Sequence, residues 1–249
     1  MEPVISKIYE SGTVVGRSGK IHPLQSSVDC DEGEFLFRII QEDAGIVRTL
    51  EVGCAHGLSS LYICSALRNR TGASHTIIDP FQNCYWDGAG VKALEEAGID
   101  FFTLLESGSE FALPKLLKEG EGRFDFVFVD GFHTFDHTLL DCFYANRLLR
   151  VGGCLAIDDV HFRSVGRVVD FLGQYPCYQK IGAVGNRADK SWKERLLRLA
   201  FTPIPQSVWV RVLMPNFYRR IFGAEANRLI AFRKMTEDNR SWDWHEDAF

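Results

Sequence analysis

Residues 49–60 read Thr-Leu-Glu-Val-Gly-Cys-Ala-His-Gly-Leu-Ser-Ser, a short apolar strand that runs into a glycine turn and straight on into a helix. Gly53 and Gly57 lack a Cβ, so the backbone there can take positive φ and let a ligand come close, while Glu51 puts a carboxylate nearby. The spacing is Gly-x-x-x-Gly. A dinucleotide turn reads Gly-x-Gly-x-x-Gly and cradles a pyrophosphate at the helix N-terminus. Here the third glycine and a helping cation are both missing, so a cofactor carrying positive charge fits better.

On the amino side, apolar residues at 35, 36, 39 and 40 give residues 32–44 a helical period stopped by Gly45. Residues 46–52 form the strand that feeds the turn. On the carboxyl side the pattern predicts helix 59–70, strand 76–78, helix 91–97, strand 101–105, helix 111–118 and strand 124–129, the last almost wholly apolar as in a strand buried on both faces. Helix 135–149, strand 153–157, helix 164–172 and strands at 178–184 and 229–233 complete the series. This alternation predicts an α/β fold whose parallel sheet is built of right-handed crossovers.

The chain has 249 residues, 46% hydrophobic and 24% charged, enough to bury one sizeable core in one elaborated domain. A formal net charge of -5 gives no general attraction to nucleic acid, which leaves a small molecule as the expected partner. The seven cysteines contain no Cys-x-x-Cys pair and several fall within apolar patterns, so buried free thiols are expected in a reducing cytoplasm. No stretch approaches the roughly 20 apolar residues that span a bilayer.

Asp79 follows the strand at 76–78 and precedes Pro80 and Phe81. In a nucleoside-binding α/β fold an acid there can accept hydrogen bonds from ribose hydroxyls; it can equally be a turn aspartate before proline. Asp130 ends the strand at 124–129, and Asp158-Asp159 end the one at 153–157. In a parallel sheet all three reach one edge, and such a cluster would repel itself unless a cation sat among them. Hard oxygen ligands point to magnesium, calcium or manganese rather than zinc. The plainer alternative gives Asp130 a water or a cap and makes Asp158-Asp159 the start of a loop.

Glu51-x-Gly53-x-x-x-Gly57-x-Ser59, with Asp130 and the Asp158-Asp159 pair, resembles class I S-adenosylmethionine-dependent methyltransferases, particularly the small metal-dependent O-methyltransferases. The resemblance covers about residues 25–185 and 226–235. It implies a Rossmann-like sandwich whose seven-stranded, mostly parallel sheet has an antiparallel last strand. S-adenosyl-L-methionine would be held by Glu51, Gly53, Ala55, His56, Gly57, Ser59, Asp79, Pro80, Phe81 and Asp130. Ser107, Gly108 and Ser109 resemble the family's adenine-side turn; otherwise Ser109 caps the next helix with Glu110 in its first turn. A divalent cation, by preference magnesium, would be held by Asp130, Asp158 and Asp159.

His133, three residues beyond Asp130, is the expected general base, since imidazole titrates near neutrality; the alternative is a capping or supporting role. Nearby carboxylates should raise its pKa and a bound cation lower it. His161 is a second candidate, and His137 reads as structural. The acceptor would be a small hydroxylated molecule such as a sugar, phenol or natural-product scaffold. Two other classes stand beside this one: a nicotinamide-dependent oxidoreductase, and a non-catalytic binder of the same cofactor.

Residues 190–223 interleave aromatic and aliphatic residues with five arginines in an otherwise acidic chain. The expected insertion at about 185–224 reads as a substrate lid, a homodimer contact or a membrane-surface segment. Trp242 and Trp244 belong either to a solvated tail or to a docking strip.

Overall fold

The computed structural model describes residues 2–25, 27–185 and 224–245. The insertion therefore lies outside the described residues. In chain order the first elements are α1 (Pro3–Ser11), β1 (Thr13–Val15), β2 (Ile21–Pro23), α2 (Cys30–Glu42), β3 (Arg48–Val52), α3 (Leu58–Leu67), β4 (Ser74–Ile78) and α4 (Ala89–Glu96). They are followed by β5 (Phe102–Leu105), α5 (Ser109–Lys118), β6 (Phe124–Val129), α6 (Phe135–Leu148), β7 (Leu149–Ile157), α7 (Arg163–Leu172), β8 (Tyr178–Gly185) and β9 (Asn227–Lys234).

The seven-stranded sheet has the order β5-β4-β3-β6-β7-β9-β8. β5, β4, β3, β6 and β7 pair in parallel, while β9 runs antiparallel to both β7 and β8. This is the expected mostly parallel sheet with an antiparallel last strand. The turn after β3 lies at the sheet's centre, where the direction of winding reverses and ligands gather beyond the carboxyl ends of the strands.

Alternation along the strands splits the core in two. Phe126, Phe128, Ile77 and Ala156 face α1, α2, α3 and α4. Leu50, Val52, Val127, Val129 and Ile157 face α5, α6 and α7. The second face places α5 and α6 behind one side of the site.

Helix α2 starts in a capping box: Asp29 accepts from the Asp31 and Glu32 amides, and the Glu32 side chain accepts from the Asp29 amide. Its true start, Cys30, lies two residues before the expected start at residue 32. Helix α5 also starts earlier than read, and its N-cap is Gly108 without a side-chain cap, so Ser109 is the first helical residue rather than the cap.

The N-terminal helix and hairpin were not read from the sequence. The hairpin turn buttresses the loop after β4 and helix α4: Arg17 N–H donates to Asp87 O at 2.6 Å, Ser18 N–H to Asp87 Oδ1 at 3.2 Å and Lys92 Nζ to Gly16 O at 3.0 Å. At the other end of the chain, Trp244 packs on Phe171 and Tyr175, and the Arg240 guanidinium lies 3.4 Å from the Tyr175 ring centroid. The described tail is thus a docking strip at Trp244, while Trp242 is 97% exposed. No helix among the described residues is long and apolar enough to cross a membrane.

Candidate active site

The four central strand ends are drawn level by backbone hydrogen bonds just beyond the regular pairing. Gly53 N–H donates to Ile78 O at 2.9 Å, Asp79 N–H to Leu105 O at 3.2 Å, Asp130 N–H to Val52 O at 2.8 Å and Asp158 N–H to Val129 O at 3.0 Å. Above them opens a cavity of about 600 Å³, within the size range of small-molecule and cofactor sites.

The turn that forms one wall is tightly built. Gly53 has φ +88, and a Cβ there would lie 2.0 Å from the Asp130 carbonyl oxygen. Gly57 has φ +83 and would meet the Gly90 backbone at 2.8 Å, so α3 and α4 approach each other through a pair of glycines. Ala55 also takes positive φ, +46, an uncommon conformation for a residue with a Cβ. Asp79 holds this shape: its Oδ2 accepts from the amides of Cys54 and Ala55 at 3.1 and 2.9 Å, and Gln82 Nε2 donates to the same oxygen at 3.0 Å. The other oxygen accepts from Phe81 N–H at 2.8 Å. Asp79 is therefore both a lining residue and the brace of the turn.

Gly53, Ala55, Asp79, Pro80, Phe81, Gly108, Ser109, Asp130, His133, Asp158 and Asp159 all line the cavity. Five of the expected cofactor residues do not: Glu51, His56, Gly57, Ser59 and Ser107. Glu51 points to the α3 side of β3 and is completely buried. There its Oε2 accepts from Ser60 Oγ and lies 3.0 Å from His75 Nε2, while His75 Nδ1 lies 2.8 Å from Thr49 Oγ1. The strand's period of two carries the carboxylate beneath the turn. His56 is buried with its ring 4.9 Å edge-on to Trp86, and burial lowers its pKa. It supports the cavity wall from behind.

The acids gather as expected, with one change of membership. His133 Nε2 lies 2.8 Å from Asp159 Oδ2 and 3.6 Å from Asp130 Oδ1. Among the described residues, ligand atoms of Asp130, His133 and Asp159 lie within 4.8 Å of one another. Asp158 stands beside this group rather than in it, and its Oδ1 accepts from the Asp159 amide at 2.8 Å. The reason is local: Asp159 takes φ +53, which breaks the strand's alternation and swings its carboxylate towards Asp130 and His133.

The electrostatics follow from crowding. Burial, aided by the charge of Asp159, pushes Asp130 up to about 7. Burial and the neighbouring acids Asp130, Glu32 and Asp159 hold Asp158 well above the usual carboxylate range. Hydrogen bonds to Asp130 and Asp159 push His133 up to about 10. Without a further cation, His133 is an imidazolium at neutral pH and acts as a donor. The ring of Phe162 stacks on it with centroids 5.2 Å apart, and Ser164 Oγ donates to the His133 carbonyl at 2.5 Å. His161 Nδ1 lies 3.6 Å from Asp159 Oδ1, beyond hydrogen-bond length. His137 Nδ1 lies 2.8 Å from Thr134 Oγ1, in keeping with its structural reading.

Sequence reasoning missed Trp86, Phe132, Phe162 and Glu32 as lining residues. The three aromatics sit in loops at the carboxyl edge, where an aromatic residue is itself a signal. Glu32 could be found only as the end of a capping box; the docking of α2 beside the acids is a tertiary fact.

Residues 50–160 match a family whose description is "Methyltransferase domain". This segment is similar to a methyltransferase domain, and the chain has the class I methyltransferase fold. In solved structures, the chain is similar to an O-methyltransferase from Bacillus cereus in complex with SAH, at 14% identity over 94% of this chain and 92% of that one, TM-score 0.63. It is also similar to the O-methyltransferase TomG from Streptomyces achromogenes, involved in tomaymycin synthesis and in complex with SAM, at 17% identity over 95% and 91%, TM-score 0.61. A SAH-bound methyltransferase from Podospora anserina aligns at 18% identity over 73% and 83%, TM-score 0.57. No curated protein matches the chain.

Proposed function

We propose that the protein transfers a methyl group from S-adenosylmethionine to a hydroxyl oxygen of a small acceptor. The observation that carries this reading is the opening of the glycine turn and the Asp130, His133 and Asp159 cluster onto one cavity. The SAM and SAH complexes of the structural relatives support the choice of cofactor. So does the wall itself: Val52, Ile78, Pro80, Phe81, Trp86 and Phe132 supply an apolar surface, and Asp79, Ser109 and Glu110 are among the polar groups set into it, the usual make-up of a nucleoside site.

The donor set also fits a divalent cation, because two carboxylates and an imidazole face one another and a positive ion would relieve their crowding. Asp130, Asp159 and His133 would hold it or border it, with Asp158 next to them. Such an ion would polarise the acceptor hydroxyl as a Lewis acid and lower the proton affinity of the imidazole.

The chain's own residues divide the remaining work. Gly53, Ala55 and Asp79 hold the cofactor wall, and Phe81 and Phe132 stand edge to face at 5.9 Å beside it. Asp159 and Phe162 fix the imidazole of His133, which in its neutral form, once its own proton has been displaced, receives the acceptor's proton. Positioning of this kind can supply roughly 7 to 11 kcal/mol of the barrier reduction. Its seven free thiols suit a reducing cytoplasm.

A screen of hydroxylated acceptors with methyl-labelled S-adenosylmethionine tests the reading. Label should pass to oxygen of a phenol, sugar or natural-product scaffold. Failure of the full chain to bind S-adenosylhomocysteine, together with tight binding of a nicotinamide cofactor, would replace this reading with a dehydrogenase.

A further inference from the structure

One large side chain in the cavity wall has its position set from outside the cavity. Trp86 lines the cavity, and its ring lies edge-on to His56 of the glycine turn, with centroids 4.9 Å apart. The next residue, Asp87, takes φ +53, an uncommon conformation for a residue with a Cβ and one that persists only where the surroundings hold it. Those surroundings are the hairpin of residues 13–23, none of which lines the cavity.

The hairpin grips Asp87 from several sides. Arg17 N–H donates to its carbonyl at 2.6 Å. Ser18 N–H donates to Oδ1 at 3.2 Å, Ser18 Oγ donates to Oδ2, and His22 Nε2 lies 3.4 Å from the same oxygen. The fit leaves no slack: a Cβ on Gly16 would lie 2.0 Å from Asp87 Oδ2, and one on Gly88 would lie 2.7 Å from Arg17 Cδ. A lone two-stranded hairpin is barely stable in water. Asp87 gives this one a fixed seat, and the hairpin in return fixes the backbone that delivers Trp86.

We propose that Asp87 is a positioning residue through which the hairpin sets the Trp86 ring against the bound cofactor. The inference rests on reading the cavity as an S-adenosylmethionine site. It assigns part of the cofactor affinity to contacts made by residues that never touch the ligand. A displaced indole loses many close atomic contacts at once, because dispersion falls off steeply across small gaps, and large aromatic rings carry much of the energy wherever they are buried against a partner.

The test is calorimetric binding of S-adenosylhomocysteine to the full chain and to Asp87→Ala, Asp87→Asn, Gly16→Ala and Ser18→Ala, each alone and combined with Trp86→Ala. Trp86→Ala should raise Kd by on the order of tenfold. Asp87→Ala and Gly16→Ala, the second of which drives the carboxylate out of its seat from the hairpin side, should each raise it by roughly three- to tenfold, and Ser18→Ala by a smaller factor. Asp87→Asn keeps an acceptor for Ser18 and tolerates positive φ, so its Kd should stay within about twofold. In the Trp86→Ala background the other substitutions should add nothing, the coupling expected when their effect passes through one residue. A general structural role of the hairpin would weaken binding by the same factor with or without the indole, and that result overturns the inference, as does unchanged affinity in Trp86→Ala. If Asp87→Ala and Gly16→Ala do not fold, Ser18→Ala at its exposed position decides alike: unchanged affinity, or a loss that persists without the indole, overturns the inference. Failure of the unsubstituted protein to bind S-adenosylhomocysteine overturns the cofactor reading and this inference with it.

Discussion

His133 Nε2 lies 2.8 Å from Asp159 Oδ2, and this contact decides which way the proton in the site can move. The carboxylate holds the imidazole in a fixed orientation and keeps it charged. For His133 to act as a base, its proton must first be displaced. The residue is therefore expected to dominate turnover and contribute little to cofactor binding. His133→Ala should lower kcat by roughly 10²- to 10⁴-fold, with the Kd for S-adenosylhomocysteine within about threefold of the starting value. Steady-state assays with labelled cofactor alongside calorimetry measure both. Retention of most of the rate would move the base elsewhere.

The same contact fixes a pH dependence. The folded-state pKa of His133 is raised to about 10, above an ordinary value near 6.5. Its pairing is thus fully favourable below about 6.5 and lost as pH rises through about 10. In protein stripped of divalent ions, the imidazole C–H resonances of His133 should show a charged ring throughout the neutral range. Asp159→Asn should move the midpoint down towards the ordinary value. An unshifted wild-type midpoint near 6.5 would contradict the geometry.

Cation binding is testable apart from turnover. Two carboxylates and an imidazole with ligand atoms within 4.8 Å should bind Mg²⁺ or Mn²⁺ with release of a proton, because the ion and the imidazolium compete for the same carboxylates. Calorimetry in buffers of different ionisation enthalpy counts that proton. Asp159→Ala and Asp130→Ala should abolish the heat, and chelation should stop methyl transfer while sparing S-adenosylhomocysteine binding. Full activity in excess chelator would remove the ion from the reaction.

The glycine turn makes a steeper demand. A Cβ at Gly53 meets a carbonyl oxygen at 2.0 Å on a backbone at φ +88, and relief requires β3 and β6 to part. Gly53→Ala should cost at least roughly 1–3 kcal/mol of stability and abolish cofactor binding. Asp79→Ala removes the acceptor for the Cys54, Ala55 and Phe81 amides. It should weaken cofactor binding strongly with a smaller loss of stability, as denaturant titration and calorimetry together would show. Unchanged stability in Asp79→Ala would mean that Asp79 acts only on the ligand, and a loss equal to that of Gly53→Ala would mean that it acts chiefly as the brace of the turn.

Much of this arrangement could be read from the chain because the signals are local. The Gly53 and Gly57 spacing, the apolar run at 124–129 and the acids after each strand all depend on a few neighbouring residues, and the parallel course of β6 and β7 then puts Asp130 and Asp159 at one edge. Strand parity accounts for the misreading of Glu51, whose carboxylate falls on the opposite face from Leu50 and Val52. The exchange of Asp158 for His133 in the cluster depends on a single φ of +53 at Asp159, which side-chain spacing does not encode. Trp86 and Glu32 reach the cavity through the docking of loops and helices that are distant in sequence.

A last expectation separates the scaffold from the site. Asp125 begins β6 at the end of the sheet opposite the cavity, and its side chain is 3% exposed. Burial alone would raise its pKa, but the amides of Arg48 and Val47 and the guanidinium of Arg150, whose Nε lies 2.6 Å away, outweigh it and hold it below the ordinary carboxylate range. A depressed folded-state pKa gives stability that is present above the unfolded value, near 3.9, and lost as pH falls through the lower folded one. Asp125→Asn should therefore lower stability by about 1–3 kcal/mol at pH 7. The difference should shrink steadily as the pH is lowered below about 4. Urea titrations across that range measure it. Because no part of Asp125 reaches the cavity lining, kcat and cofactor affinity should stay unchanged at temperatures where the variant remains folded. A matching loss of affinity would show that the two ends of β6 are coupled.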